Sequence, residues 1–238
     1  MGCPALKRAT RGFGLVEIML ALLLGLVISL ALMQIFITSR STFLSQAASA
    51  SLQEDARFVL AKMIQEVRLA GAFGCLASVR DESTGAAFSA AFRSPVQWDA
   101  PQGALTLNTT APADSGSWHN WEIHTDCTST ATAWTRGRAP KPAEGEHVLA
   151  IHQQVYRFNQ GAGELTLNGQ PLISNVGAFE VLFGVASTAD APGIARYTAQ
   201  PAPALIRSVR LALTLFDPAD RTREQTFSVV AAIRNRTG

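Results

Sequence analysis

The chain has 238 residues, 47% of them hydrophobic and only 16% charged, which suffices for one apolar helix and one globular domain with a core, and leaves little for a second domain. The 20 Lys and Arg nearly balance the 18 Asp and Glu, for a formal charge of +2. No basic stripe with interleaved aromatics stands out, so composition gives nucleic-acid binding no support.

Residues 1–12 form a short leader with Lys7, Arg8 and Arg11, ending in Gly12. An apolar run follows in which the only ionisable side chain is Glu17. From Ile18 to Ser39 no residue is charged, and a helix rising about 1.5 Å per residue covers a bilayer core of about 30 Å with that many residues. A carboxylate at the mouth of such a segment is costly to bury and calls for a partner. A secretory signal with a small-residue site at Ser29-Leu30-Ala31 accounts for the basic start and the apolar core, but not for Glu17 or the length of the run. A plain uncleaved anchor accounts for the span and for neither Gly12 nor Glu17.

From Ser39 to Ala70 there is no proline or glycine, and Leu44, Ala48, Leu52, Ala56, Val59, Met63 and Val67 recur at steps of three and four. Gln46, Gln53, Asp55, Lys62 and Glu66 occupy the opposite face, where Lys62 and Glu66 can pair at i,i+4. One helix from Phe13 to Leu69 is expected, apolar all round in its first half and amphipathic in its second. The stripe lacks the sustained a/d heptads of a coiled coil. Gly71 ends the helix, and Ala72-Phe73-Gly74-Cys75 leads away from it.

Residues 76–145 are rich in Ala, Ser, Thr, Gly and Pro and read as irregular, with Ala104–Leu107 and Trp121–His124 as the best strand candidates. All four tryptophans, Trp98, Trp118, Trp121 and Trp134, fall here and are expected to build a small local core; exposed contact anchors are the other reading. Residues 146–238 read as β: His147–His152, Gln154–Asn159, Glu164–Leu167, Phe179–Val185, Ile206–Phe216 and Gln225–Arg234, with turns at Asn159–Gly163, Asn168-Gly169 and Asp217–Arg221. Short links between consecutive strands imply an antiparallel sheet with its apolar face on the amphipathic helix.

Lys7, Arg8 and Arg11, then Gly12-Phe13-Gly14-Leu15-Val16-Glu17 and a long apolar helix, resemble the class III leader of type IV pilins. That resemblance implies cleavage by a prepilin peptidase after Gly12, N-methylation of Phe13, and pairing of Glu17 with the terminal amine of a neighbouring subunit. Gln53–Phe58, with Arg57 and Phe58, then Arg68, Gly71, Phe73, Gly74 and Cys75, and the closing Ala232–Arg236, resemble PilW-type minor pilins. The likeness covers about a third of the chain, at both ends and along the helix.

The expected fold is therefore α+β and type IV pilin-like: a leader 1–12, a transmembrane half-helix 13–39, an amphipathic half 40–70, and a head 71–238 whose antiparallel sheet packs on the helix. The resemblance implies a minor pilin in the initiation or tip complex of the type IV pilus, supporting adhesion and twitching motility. Its implied partners are other minor pilins, the major pilin, the prepilin peptidase and the inner-membrane assembly platform. Its implied place is the bacterial inner membrane, with the head in the periplasm, and then the pilus. A minor pseudopilin of a type II secretion system shares the leader and the helix and is the alternative.

Loss of the leader would remove Cys3 and leave 17 basic residues against 18 acidic. Cys75 and Cys127 would then remain, as a disulfide in an oxidising compartment or as two buried thiols. His119, His124, Cys127, His147 and His152 do not match a standard zinc-ligand spacing, and no nucleotide loop, calcium loop or G-x-S-x-G nucleophile is present. No metal, cofactor or enzymatic activity is expected.

Overall fold

The computed structural model describes residues 12, 14–112, 118–191 and 193–233. The chain divides into two compact units, Met1–Ala48 and Ser49–Gly238. Helix α1, Leu15–Leu69, contributes to both. Its stop is built from the sequence: Gly71 takes φ +75°, which a residue with a Cβ adopts only under strain, and its N–H donates to Asn108 O at 3.1 Å. Ala70 makes an isolated antiparallel bridge to Thr109, so the helix end is fastened to a strand.

In the second unit the helical stripe is buried. Leu52, Ala56, Val59, Leu60, Met63, Val67 and Ala70 pack into one core with residues from two sheets. Full burial of each larger side chain contributes about 1.5–3 kcal/mol.

The first sheet has eight strands: β1 (Arg80–Asp81), β2 (Val96–Asp99), β3 (Ala104–Pro112), β4 (Trp121–Thr125), β5 (Ala131–Thr135), β6 (His147–Asn159), β7 (Glu164–Leu167) and β8 (Gln170–Ser174). Their order is β1-β5-β4-β6-β3-β2, with β7 on β6 and β8 on β7; β1–β5 is a parallel pair and the others are antiparallel. The second sheet is antiparallel throughout, in the order β10 (Arg196–Thr198), β9 (Val176–Val185), β11 (Ile206–Leu215), β12 (Gln225–Ala232). Val209, Leu211 and Leu213 stand opposite Phe183, Val181 and Phe179, and this face closes the main core.

Three expectations need correction. Residues 76–145 are not irregular: they hold β1 to β5 and a seven-residue helix, α2 (Ala87–Arg93). The β region is two sheets rather than one, and β3 and β4 from the middle of the chain pair with β6. His147–His152 and Gln154–Asn159 are one strand of 13 residues rather than two.

The physical reason lies in burial on both faces. The face of the first sheet turned from the main core is covered by a second cluster of Phe73, Phe88, Ala91, Trp121, Ile123, Ala133 and Ile151. Strands buried on both sides lose the apolar-polar alternation that reveals a strand. β3 hides further, because Asn108 and Thr109 are buried within it.

Two connections are fixed by charged side chains. Arg221 closes the β11–β12 link with a two-pronged bond to Asp217, 2.9 Å from Nε to Oδ2 and 2.8 Å from Nη2 to Oδ1. The Arg221 side chain, chief among the bonds it receives, holds the Asp217 carboxyl well below the usual carboxylate range. Arg207 is buried, and its guanidinium donates to the main-chain carbonyls of Thr188, Ala189, Ala191, Ala204 and Ile206. It gathers both ends of the segment between β9 and β11.

Arg207→Met keeps bulk and removes those donors. Since bonds from a charged donor contribute about 1.5–3 kcal/mol each and are not additive, the variant should lose at least about 2 kcal/mol in urea denaturation. Limited proteolysis should cut it first between residues 186 and 205; an unchanged cleavage pattern would show that the segment does not depend on the guanidinium.

Candidate functional site

The most unusual surface belongs to the first half of α1. From Gly14 to Phe43 every described residue is exposed, including Leu15 at 75%, Phe36 at 63% and Phe43 at 68%. α1 is long and apolar enough to cross a membrane, with mean hydropathy 2.7 over its most apolar window, a test that an amino-terminal signal sequence near the chain start also passes. Such a stretch is stable only when lipid or other protein covers it.

Glu17 lies in the first turn of α1, where the helix dipole favours a negative charge. Its N–H donates to Gly14 O at 3.0 Å, and among the described residues its exposed carboxylate makes no hydrogen bond or ion pair. Gly12 is exposed, and a Cβ added there meets nothing within 4 Å. Packing therefore does not explain the glycine. Phe13 and residues 1–11 lie outside the described residues.

Cys75 and Cys127 are joined by a disulfide, with Cα atoms 5.3 Å apart. The bond ties the segment leaving α1 to the β4–β5 turn and closes a loop with a sequence separation of 52. In the chain-entropy account such a loop contributes about 4 kcal/mol. The turn is set by Asp126, whose carboxylate accepts the N–H groups of Thr128, Ser129 and Thr130 at 2.8–2.9 Å. Those bonds, with the Thr130 N–H foremost, hold the Asp126 carboxyl far below its ordinary range. Joined to Cys75, Cys127 is unavailable as a thiolate ligand, and no group of three or more metal-capable side chains occurs among the described residues.

The tryptophans do not build one local core. Trp121 is buried in the smaller cluster, and Trp98 meets Phe179 edge-on at 6.2 Å beside the main one. Trp118 is 61% exposed, with the Arg136 guanidinium 5.6 Å from its ring centre. Trp134 is half-buried.

A polar cluster lies between the last turns of α1 and the first sheet. Lys62 Nζ pairs with Glu66 Oε1 at 2.8 Å, as the i,i+4 spacing predicts. Glu66 is nevertheless not on a solvated face: its side chain is 12% exposed, and Oε2 accepts the hydroxyl of fully buried Tyr156. A carboxylate in that position is satisfied from both sides, which is how a buried charge is tolerated. Nearby, His119 Nε2 and Glu122 Oε1 lie 2.8 Å apart, and the His119 and His152 rings meet edge-on at 6.2 Å. Burial lowers the His152 pKa and His119 adds to the effect, against the Trp118 main-chain bond and the Glu66 charge.

No sequence motif marks this cluster. Its signal was confined to β6, where Tyr156 and His152 share a face in a strand whose partners Leu105 and Leu107 are core residues.

Burial first, and then the Glu66 charge, push the Tyr156 phenol far above its ordinary value. The folded chain thus holds that proton when the unfolded chain, with a pKa of about 10, has released it, so the stabilisation is complete below pH ~10 and is lost as pH rises beyond it. Its contribution should fall by about 1.4 kcal/mol per pH unit above that point. Tyr156→Phe should cost about 1.5–3 kcal/mol at neutral pH and remove this part of the alkaline slope, both read by urea denaturation. An unchanged slope would mean that the buried phenol does not keep its proton above the ordinary tyrosine range.

No protein-family model, curated protein or solved structure matches this chain.

Proposed function

We propose that the chain is a minor pilin of the PilW type, held in the bacterial inner membrane by the first half of α1 until it is processed and built into a type IV pilus. The observation that carries this reading is a helix exposed from Leu15 to Phe43 and uncharged from Ile18 to Ser39, with one carboxylate, Glu17, in its first turn. A helix that only anchors has no use for that charge, because its desolvation is offset only by a partner. A neighbouring subunit's terminal amine supplies one.

Three further features support it. Gly12 has no packing role, so its presence fits a requirement of the peptidase rather than of the fold. The second half of α1 buries a stripe beneath antiparallel-rich sheets, an α+β arrangement of the kind expected of a pilin head. The disulfide between Cys75 and Cys127 suits a head exported to an oxidising compartment. In this reading the protein acts by assembly with other minor pilins and the major pilin, and catalyses nothing.

Gly12→Ala should leave the fold intact and block leader removal, seen as the loss of a mobility shift on a blot of the membrane fraction. Glu17→Ala should still be processed and should fail to enter filaments recovered by shearing. A Gly12→Ala protein processed like the parent would refute the reading. Deleting the gene separates the pilus from the type II secretion alternative: lost twitching with intact secretion favours the first, and the reverse favours the second.

A further inference from the structure

We propose that the cleft along the open edge of β2 binds an extended strand from a partner protein, pairing main chain to main chain with Val96 and Trp98 and setting an acidic side chain against Arg93. The inference is independent of whether the amino terminus is processed.

β2 is the last strand of the first sheet and pairs on one side only, with β3. Asn108 N–H donates to Pro95 O at 2.8 Å, and the register continues as Val96 with Leu107, Gln97 with Thr106, Trp98 with Leu105. Hydrogen-bonded pairs alternate in an antiparallel ladder, so residues 95, 97 and 99 use their main-chain groups toward β3. The N–H and C=O of Val96 and Trp98 therefore point away from β3; Val96 is only 3% exposed, so they are reached from the cleft it lines and not from bulk solvent. An unpaired edge of this kind is a template for another strand.

This edge is not open on a flat surface. It lies in a cleft of about 540 Å³ lined by Arg93, Gln97, Trp98, Pro201, Pro203 and Ile206, among others. That volume lies within the range of about 300–1,000 Å³ common to ligand clefts. The cleft lining also carries two prolines, Pro201 and Pro203, which have no N–H to compete for the carbonyls of an incoming strand.

The two sides of the cleft differ in chemistry. Val96 and Trp98 share the face of Leu105 and Leu107, toward the main core, and Gln97 lies on the other face with Thr106. Arg93 ends α2; its Nε donates to Ser89 O at 3.2 Å, and among the described residues its Nη groups make no hydrogen bond or ion pair. Side chains of an added strand alternate between these faces. The strand that fits therefore reads apolar, acidic, apolar, with its carboxylate toward the guanidinium, which favours bidentate pairing.

The test uses the full-length chain in detergent and a pool of end-blocked heptapeptides with a central aspartate, the flanking positions varied over Val, Ile, Thr and Tyr. Hydrogen–deuterium exchange should show slower uptake in segment 94–99 with the pool present. The protection should vanish with a pool N-methylated at alternate amides, which cannot donate to the edge. Arg93→Glu, at an exposed position, should weaken the protective effect by about tenfold or more, and a pool with central lysine should restore it in that variant. Unchanged uptake over 94–99 would overturn the proposal. So would protection that survives N-methylation, or that is indifferent to Arg93→Glu; both would indicate a ligand that uses the Trp98 surface without pairing to β2.

Discussion

The structure depends on one constraint: a single helix must satisfy two different surroundings. From Ile18 to Ser39 the side chains of α1 are uncharged, apolar on every side and exposed; from Leu52 to Val67 the buried ones keep to a single stripe, with Phe58 left outside it at 61% exposure. The change in periodicity, and not the average hydrophobicity, assigns the halves their roles. An all-round apolar surface is stable only against lipid or like surfaces, whereas a stripe is stable against a sheet with the rest in water. Both sheets can then be seen as ways of covering that stripe. The second sheet does so with the alternating residues of β9 and β11, and the first with Leu105, Leu107 and Tyr156.

Where the stripe ends, polar chemistry takes over. Glu66 is only one position from Val67, yet it lies between Lys62 and the Tyr156 hydroxyl rather than in water. Placing a charge there demands both partners, so the cluster fixes the rotation of the last turns of α1 over the sheet. The same logic operates at Arg207, where main-chain carbonyls rather than a carboxylate satisfy the cation. At Glu17 no partner is present among the described residues, and on the proposed reading assembly supplies it.

What the sequence made legible is what obeys a period. The helix from the first turn to Leu69, the stripe from Leu52 to Val67, and the strands β9, β11 and β12 follow from steps of three, four or two, and the turn at Asn168-Gly169 from its dipeptide. The middle of the chain was opaque because its strands are short or buried on both faces, and because Asn108 and Thr109 are buried polar residues in β3. The division into two sheets was hidden as well, since β3 and β4 find β6 across a long stretch of chain and no local pattern encodes that pairing. The Glu66 and Tyr156 contact is 90 residues apart in sequence, and spacing on the helix alone put Glu66 in solvent.

The proposed function rests on the amino-terminal segment, where sequence and surface make the same demand: a covered apolar helix and a partner for Glu17. Mass spectrometry of the protein extracted from membranes tests that demand at its origin. The account predicts a chain beginning at a methylated Phe13. A chain that retains Met1, or that begins near Ala31 after cleavage as a secretory signal, would contradict it.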